Sequence, residues 1–291
     1  MRRVLAVLGW LVLFPAAITT LAAATDHLHP ALDSLGVGLV YGMSAAAVGA
    51  LAFVLAGRRL SACLACAILI LSGLQLLPLA GLQAAEPAQP LRLTQHNLKF
   101  SNPAVDLPAR IAQADLVALQ EVRDAVPTLA TLDDDWTVQT CPFAAVGNSA
   151  ALTRLPVTDR GCFEGGAWLR VDTAHRPVTL ASLHLHWPWP KGQVDHVTRV
   201  MATLTMLPRP VVVAGDFNQT PWSATVARIA AATGTAPIPS LATTLPLTRG
   251  LVQLNIDHVL IPLAWSGTLT VTDRHGSDHT AQLARIGPMA Q

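Results

Sequence analysis

Charge is scarce in this sequence. Only 13% of its 291 residues are Asp, Glu, Lys or Arg, against 52% hydrophobic, and mean hydropathy is +0.44. That balance excludes an ordinary soluble domain or a disordered chain and points to a membrane portion. The shortage is local: residues 4–24, 35–57 and 60–82 hold no charged residue at all. At about 1.5 Å rise per residue, each run is long enough to cross a hydrocarbon core of roughly 30 Å. Three such runs in succession predict an anchor of three transmembrane helices over residues 1–82, rather than three buried helices of a soluble protein. The only amide within them is Gln75, so the spans offer little to a protein partner, and none is expected.

Lysine and arginine are missing from the link TDHLHPALDS between the first two runs, whereas Arg2 and Arg3 precede the first and Arg58 and Arg59 join the second to the third. The positive-inside rule then places the N-terminus in the cytoplasm and everything after the third span on the far side of the membrane. The stretch LAAAT at the end of the first run also fits a signal-peptide cleavage site, which leaves the later domain on the same side.

A basic surplus is absent too. Removing Arg2, Arg3, Arg58 and Arg59 from the 19 basic residues, and Asp26, Asp33 and Glu86 from the 18 acidic ones, leaves 15 of each after residue 90. Extended nucleic-acid binding normally carries such a surplus, because phosphate contacts dominate its affinity. Cysteine is limited to four residues. Cys63 and Cys66 lie one turn apart in the third run and read as packing residues. Cys141 and Cys162 lie in the outer part, an oxidising compartment if the topology holds, and are expected to form a disulfide, with two buried free thiols as the competing reading. No internal repeat or low-complexity tract is present.

The segment AGLQAAEPAQP ends the anchor, with residues 83–90 as a linker, and residues 91–291 are the right size for one domain. There, strands and helices alternate. Strands are expected at 91–97, 116–120, 136–140, 150–153, 167–171, 178–184, 210–215, 255–261, 267–272 and 282–286. Helices are expected at 104–113, 125–132, 193–206 and 223–233. Runs such as LVALQ and VVVAG suit sheets covered on both faces.

Polar residues collect where those strands end. Asn97 ends LRLTQHN, Glu121 follows LVALQ, His184 ends VTLASLH, and Asp216 and Asn218 follow VVVAG. Asp257 begins the strand of IDHVLI, and Asp278 and His279 stand in the turn HGSDHT. Strand ends on one side of an α/β sheet converge on a crevice, so a site belongs there. Carboxylates with an asparagine and few thiols suit a hard cation such as Mg²⁺ or Mn²⁺. Histidines beside them can donate to phosphoryl oxygens or carry a proton. Together they fit metal-assisted attack of water on a phosphoester.

The ordered set N…QE…HL…GDFN…IDH…SDH resembles the endonuclease/exonuclease/phosphatase superfamily over residues 91–287. HLHWPWP followed by VVVAGDFNQTPWS is most similar to its bacterial membrane-anchored members. The resemblance implies a four-layer α/β sandwich, two packed mixed sheets flanked by helices, here preceded by the three spans. It implies Glu121 as the principal metal ligand, with Asn97 and Asp278 completing or supporting the metal site. Asp216 would orient or deprotonate the attacking water, Asn218 would hold the scissile phosphate, and Asp257 would fix His279. His184 and His279 would stabilise charge on phosphoryl oxygens or protonate the leaving group. The chain would then sit in the bacterial inner membrane with its catalytic domain on the periplasmic side, acting on a nucleic acid, a phospholipid or a small phosphodiester. Two features depart from the pattern: the only tyrosine is Tyr41, inside the second span, and Lys99 stands where some members carry an acid. Both count against apurinic-endonuclease substrate handling.

Plainer readings stand beside these. Asp216 and Asn218 alone fit a polar turn after a strand. His186 would share the face of His184, whose following Leu favours it as the site histidine. HLH also suggests zinc, but WPWP follows where further ligands would be needed. His258 and His275 read as structural; His27, His29, His175 and His196 read as surface or loop residues; Asp133–Asp135 read as a solvated helix end. Trp187 and Trp189 fit a substrate rim, a core edge or a membrane surface equally. The competing function class is a membrane-anchored binding protein that kept the fold without catalysis.

Overall fold

A computed structural model describes residues 1–80, 87, 89–144, 146–174 and 176–289. Of the expected linker, residues 83–86 and 88 lie outside the described residues, as does His175. The chain divides into two compact units, one built on residues 1–81 and the other holding most of the remainder.

In the first unit, α1 (Arg2–Ala24), α3 (Leu39–Ala56) and α4 (Arg59–Leu76) are each long and apolar enough to cross a membrane, with mean hydropathies of 2.2, 2.0 and 1.8. A short α2 (Pro30–Gly36) separates the first two. The second of these helices therefore begins at Leu39 rather than residue 35, since Val37 and Gly38 interrupt the helix. The third ends at Leu76 rather than residue 82, short of Pro78. Small residues let α1 and α3 approach: a Cβ on Gly9 would meet the Phe53 ring at 2.9 Å. Thr20 of α1 and Ser72 of α4 share a buried hydroxyl–hydroxyl bond of 2.8 Å. Leu11, Phe14, Leu51 and Val54 point outward and are exposed.

The second unit runs β1 (Leu91–Asn97), α5 (Leu107–Ile111), β2 (Leu116–Gln120), α6 (Val126–Leu129), β3 (Thr137–Cys141), β4 (Ser149–Thr153), β5 (Val157–Phe163), β6 (Gly166–Val171) and β7 (Val178–His184). It continues with α7 (Gln193–Met206), β8 (Val211–Asp216), α8 (Ala224–Thr233), β9 (Thr235–Pro237), β10 (Leu245–Leu247), β11 (Val252–Leu254), β12 (Asp257–Pro262), β13 (Trp265–Val271) and β14 (Gln282–Pro288). Two six-stranded mixed sheets result, ordered β13-β14-β1-β2-β4-β3 and β5-β6-β7-β8-β12-β9, with β10 and β11 as a separate hairpin.

The alternation of side chains along each strand explains the layering. One set, including Leu93, Ala118 and Ala151 from the first sheet and Leu180, Ala214 and Val259 from the second, fills the space between the sheets. The opposite set on the second sheet, Leu183, Val213 and Leu260, meets Val197, Val200 and Ile229 of α7 and α8. On the first sheet Val117, Leu119 and Leu152 meet Leu107, Ile111 and Leu129. This is the four-layer α/β sandwich with helices outside. Cys141 of β3 and Cys162 of β5 are joined by a disulfide, with Cα atoms 5.5 Å apart, so it ties one sheet to the other.

Candidate active site

Each sheet contains one parallel pair, β1–β2 and β7–β8, and their C-terminal ends lie at the same edge of the sandwich. The register places His184 opposite Asp216, and Asp257, at the start of antiparallel β12, opposite Asp216 on the other side. Gly215 allows this spacing, because a Cβ there would run into the carbonyl oxygen of Leu183. Past the strand ends the backbone turns sharply: Glu121 and Asn218 both adopt left-handed φ angles, +55° and +50°. Such conformations cost on the order of 1 kcal/mol and persist where surrounding contacts impose them. Here Phe100 N–H donates to Glu121 Oε2 at 3.0 Å, and Asn218 N–H to Asp216 Oδ1 at 2.8 Å.

Asn97 Nδ2 lies between two carboxylates, donating to Glu121 Oε1 at 3.1 Å and Asp216 Oδ2 at 3.0 Å. Its own oxygen accepts from Lys99 N–H. His184 Nε2 is 3.5 Å from Asp216 Oδ2 and 3.9 Å from Glu121 Oε1. His279 Nδ1 bonds Asp257 Oδ2 at 2.8 Å, and its Nε2 is 3.8 Å from Asp216 Oδ2. Asn218 gives one amide proton to Leu185 O at 2.8 Å, and the other is uncommitted among the described residues. Glu121, His184, Asp216, Asn218 and His279, with exposed Asp278, line one cavity of about 460 Å³, and Asn97 and Asp257 adjoin it through their bonds to these groups. Asp278 makes no bond to Glu121 or Asp216 among the described residues; it stands at the mouth.

His184, not His186, meets the carboxylates. The His186 ring also lines the cavity, packed against Phe143 and His196. His196 is not a surface residue: it is buried, and its Nε2 donates to Glu164 O at 3.0 Å. His258 donates to Gln219 O from a buried position.

Electrostatics divide the roles. Burial, together with the Asp257 carboxylate, pushes Asp216 up to about 7. Burial opposes charge on His279, but Asp257 and Asp216 outweigh it and push the imidazole up to about 10. Burial likewise opposes charge on Asp257, yet the His279 pairing holds it below the usual carboxylate range. Burial, with cationic His279 nearby, lowers His184 to about 3. One buried imidazole is thus cationic and the other neutral.

Several supporting residues were not identified from the sequence. Gln95 Nε2 donates to both Gln120 Oε1 and Asp257 Oδ1, at 2.9 and 3.0 Å. Gln282 Nε2 reaches Asp257 O at 2.8 Å, and Thr244 Oγ1 accepts from Asp257 N–H at 3.2 Å. Gln95 shares the inward parity of Leu91 and Leu93, so an amide on that face of the strand was the available clue.

The converging carboxylate oxygens of Glu121 and Asp216 suit a hard divalent cation, while Asn97 turns its NH2 to them and gives its oxygen to Lys99 N–H. Asp216, Asp257 and His279 also offer ligand atoms within 4.8 Å of one another. Asp257, however, has both oxygens engaged, by Gln95 and His279, which makes that group a hydrogen-bonded triad before it is a cage.

Comparison with known proteins follows the same lines. Residues 94–279 match the sequence profile described as Endonuclease/Exonuclease/phosphatase family. Among solved structures, sphingomyelinase C from Streptomyces griseocarneus is 15% identical, covering 68% of this chain and 99% of its own, with TM-score 0.52. D. rerio TDP2, complexed with a single-strand DNA product, is 15% identical over 68% of this chain and 99% of its own, with TM-score 0.54. The 3′ phosphatase NExo from Neisseria, bound to a product DNA hairpin, is 15% identical over 67% and 98%, with TM-score 0.51. At such identities the likeness is one of fold. No curated protein matches the chain.

Proposed function

The chain belongs to the endonuclease/exonuclease/phosphatase family, and from that premise we propose a membrane-anchored, divalent-metal-dependent phosphodiesterase. Phosphoester hydrolysis fits the family's name, and a sphingomyelinase and a 3′ phosphatase are among the structural neighbours. The observation that carries the finer reading is the buried Asp216 carboxylate, set between neutral His184 and cationic His279 at the floor of one cavity.

Glu121, with Asn97 beside it and Asp278 at the mouth, would hold Mg²⁺ or Mn²⁺. The cation, when bound, supplies positive charge to the phosphoryl oxygens. Asp216 orients the attacking water and takes its proton, a task suited to a carboxylate whose affinity for protons is raised by burial. The uncommitted amide proton of Asn218 is available to a phosphoryl oxygen. His279, kept cationic by Asp257, stabilises charge that builds there. His184, being neutral, serves as a hydrogen-bonding partner and not as a reservoir of charge.

The cavity walls support a substrate class. Phe100, Phe143, Trp187, Leu245 and Leu247 line the cavity together with Lys99 and Lys191. An apolar wall with two lysines on a formally neutral domain favours a lipid headgroup or a small diester over long nucleic acid. The DNA products bound by two structural neighbours keep a nucleic-acid end as the competing substrate. The anchor would sit in the bacterial inner membrane with this domain on the periplasmic side. A panel of phosphatidylcholine micelles, single-stranded DNA and p-nitrophenyl phosphate, given to the full chain in detergent with Mn²⁺, tests the class. Release of phosphocholine is expected; turnover confined to the monoester would sink the diesterase reading.

A further inference from the structure

His96 raises a question the site leaves open. It alternates with Gln95 and Asn97 on β1, so it faces the outer side of the sheet, and it is fully buried. Nearby outward positions are filled by Val117, Leu119 and Leu152. An imidazole there must have both ring nitrogens satisfied to be tolerated.

Both are. Arg110 Nη1, from α5, lies 3.0 Å from His96 Nδ1. A guanidinium can only donate, so Nδ1 must accept, and the ring proton must sit on Nε2. That nitrogen lies 3.2 Å from the backbone carbonyl of His279 and donates to it. Arg110 therefore selects the tautomer that grips the catalytic turn. Burial and the neighbouring guanidinium lower His96 to about 4, consistent with a neutral ring.

The same turn is clasped at other points by the same stretch of chain. Ser277 Oγ donates to Asn97 O at 2.7 Å, and Asn102 Nδ2 to His275 O at 3.0 Å. Asp106 Oδ2 lies 3.2 Å from both His275 Nδ1 and Arg110 Nε. Two of these contacts end on His279 itself, whose ring must meet Asp257 at 2.8 Å and face Asp216: Ser277 Oγ accepts from its N–H at 3.0 Å, and the Arg110–His96 path holds its carbonyl.

We propose that Arg110 and His96 are positioning residues for hydrolysis: acting in series, they fix the backbone of His279 and so the placement of its ring against Asp257 and Asp216. The inference rests on the hydrolase reading of the site. The plainer alternative is a satisfied core histidine that contributes stability only. The two differ in what they do to turnover. A positioning pair sets kcat with little effect on KM, and two members of one path are not additive.

The test uses the full chain in detergent micelles, with His96→Leu, Arg110→Met, the double variant and His96→Gln, on bis-p-nitrophenyl phosphate with Mn²⁺. Each of the first two is expected to lose about tenfold or more in kcat with KM within about twofold, and the double to be no worse than the poorer single. His96→Gln, whose amide can both accept from Arg110 and donate to His279 O, is expected to keep most of kcat. Unchanged kcat, additive losses, or a His96→Gln as poor as His96→Leu would overturn the proposal. If His96→Leu does not fold, the NMR resonance of His279 Nδ1–H decides: it is expected to move in Arg110→Met, and an unmoved signal overturns the relay. A wild-type chain without turnover would defeat the hydrolase reading separately, since the NMR shift is read without substrate.

Discussion

Asp257 and His279 form a buried pair whose protonation behaviour bears on stability. The folded state raises His279 from its ordinary 6.5 to about 10. A raised base contributes stability that is complete below the unfolded value and is lost as pH climbs through the folded one. The window for His279 is therefore pH 6.5 to 10, and at 1.36 kcal/mol per pKa unit the loss is roughly a few kcal/mol. Asp216, raised to about 7, loses its contribution earlier, between pH 3.8 and 7. The melting temperature should then fall as pH rises from 7 to 10, and fall less in His279→Gln. Parallel melting curves for the two proteins would show the pairing to be misassigned. At this scale much was legible: Asn97, Glu121, His184, Asp216, Asn218, Asp257, Asp278 and His279 all line one cavity or adjoin it. Gln95, Thr244 and Gln282 were not legible, because a polar residue within a strand declares a partner without saying which.

Elements were readable in proportion to their burial. The strands at 91–97, 116–120 and 178–184 and the helix at 193–206 appear with the expected bounds; 116–120 and 178–184 are mostly apolar runs and 193–206 carries a 3.6-residue pattern, whereas LRLTQHN only alternates at its start. β5 went unread because VTDRGCF is an edge strand with exposed, charged positions, and β9, β10 and β11 are three residues each. The helices at 104–113 and 125–132 shrink to Leu107–Ile111 and Val126–Leu129, where prolines at the first turn set the start. One glycine matters at this scale. Its Cβ-free approach lets β8 lie beside β7 with His184 opposite Asp216. Gly215→Ala must push β8 away from Leu183, so activity should drop by about a hundredfold or more even in variants that fold. Wild-type kcat in Gly215→Ala would mean that the strand spacing does not position the site.

Across the whole chain, arginines at 2, 3, 58 and 59 flank α1 and α4 while the link after α1 has none. By the positive-inside rule this asymmetry predicts a cytoplasmic N-terminus and a C-terminal domain on the opposite side. Alkaline phosphatase, active only outside the cytoplasm, should be active when fused after residue 289 and inactive when fused between α3 and α4. The reverse pattern would place the catalytic domain inside. The disulfide joining β3 to β5 belongs with the outer placement, since such bonds persist in oxidising compartments.

The measurement that bears most directly on the account is hydrolysis of bis-p-nitrophenyl phosphate by the full chain in detergent, with Mg²⁺ or Mn²⁺, with EDTA, and with Asp216→Asn. Turnover that requires the cation and falls by about a thousandfold or more in Asp216→Asn is the expected result. Turnover that survives EDTA, or that Asp216→Asn retains, would contradict it.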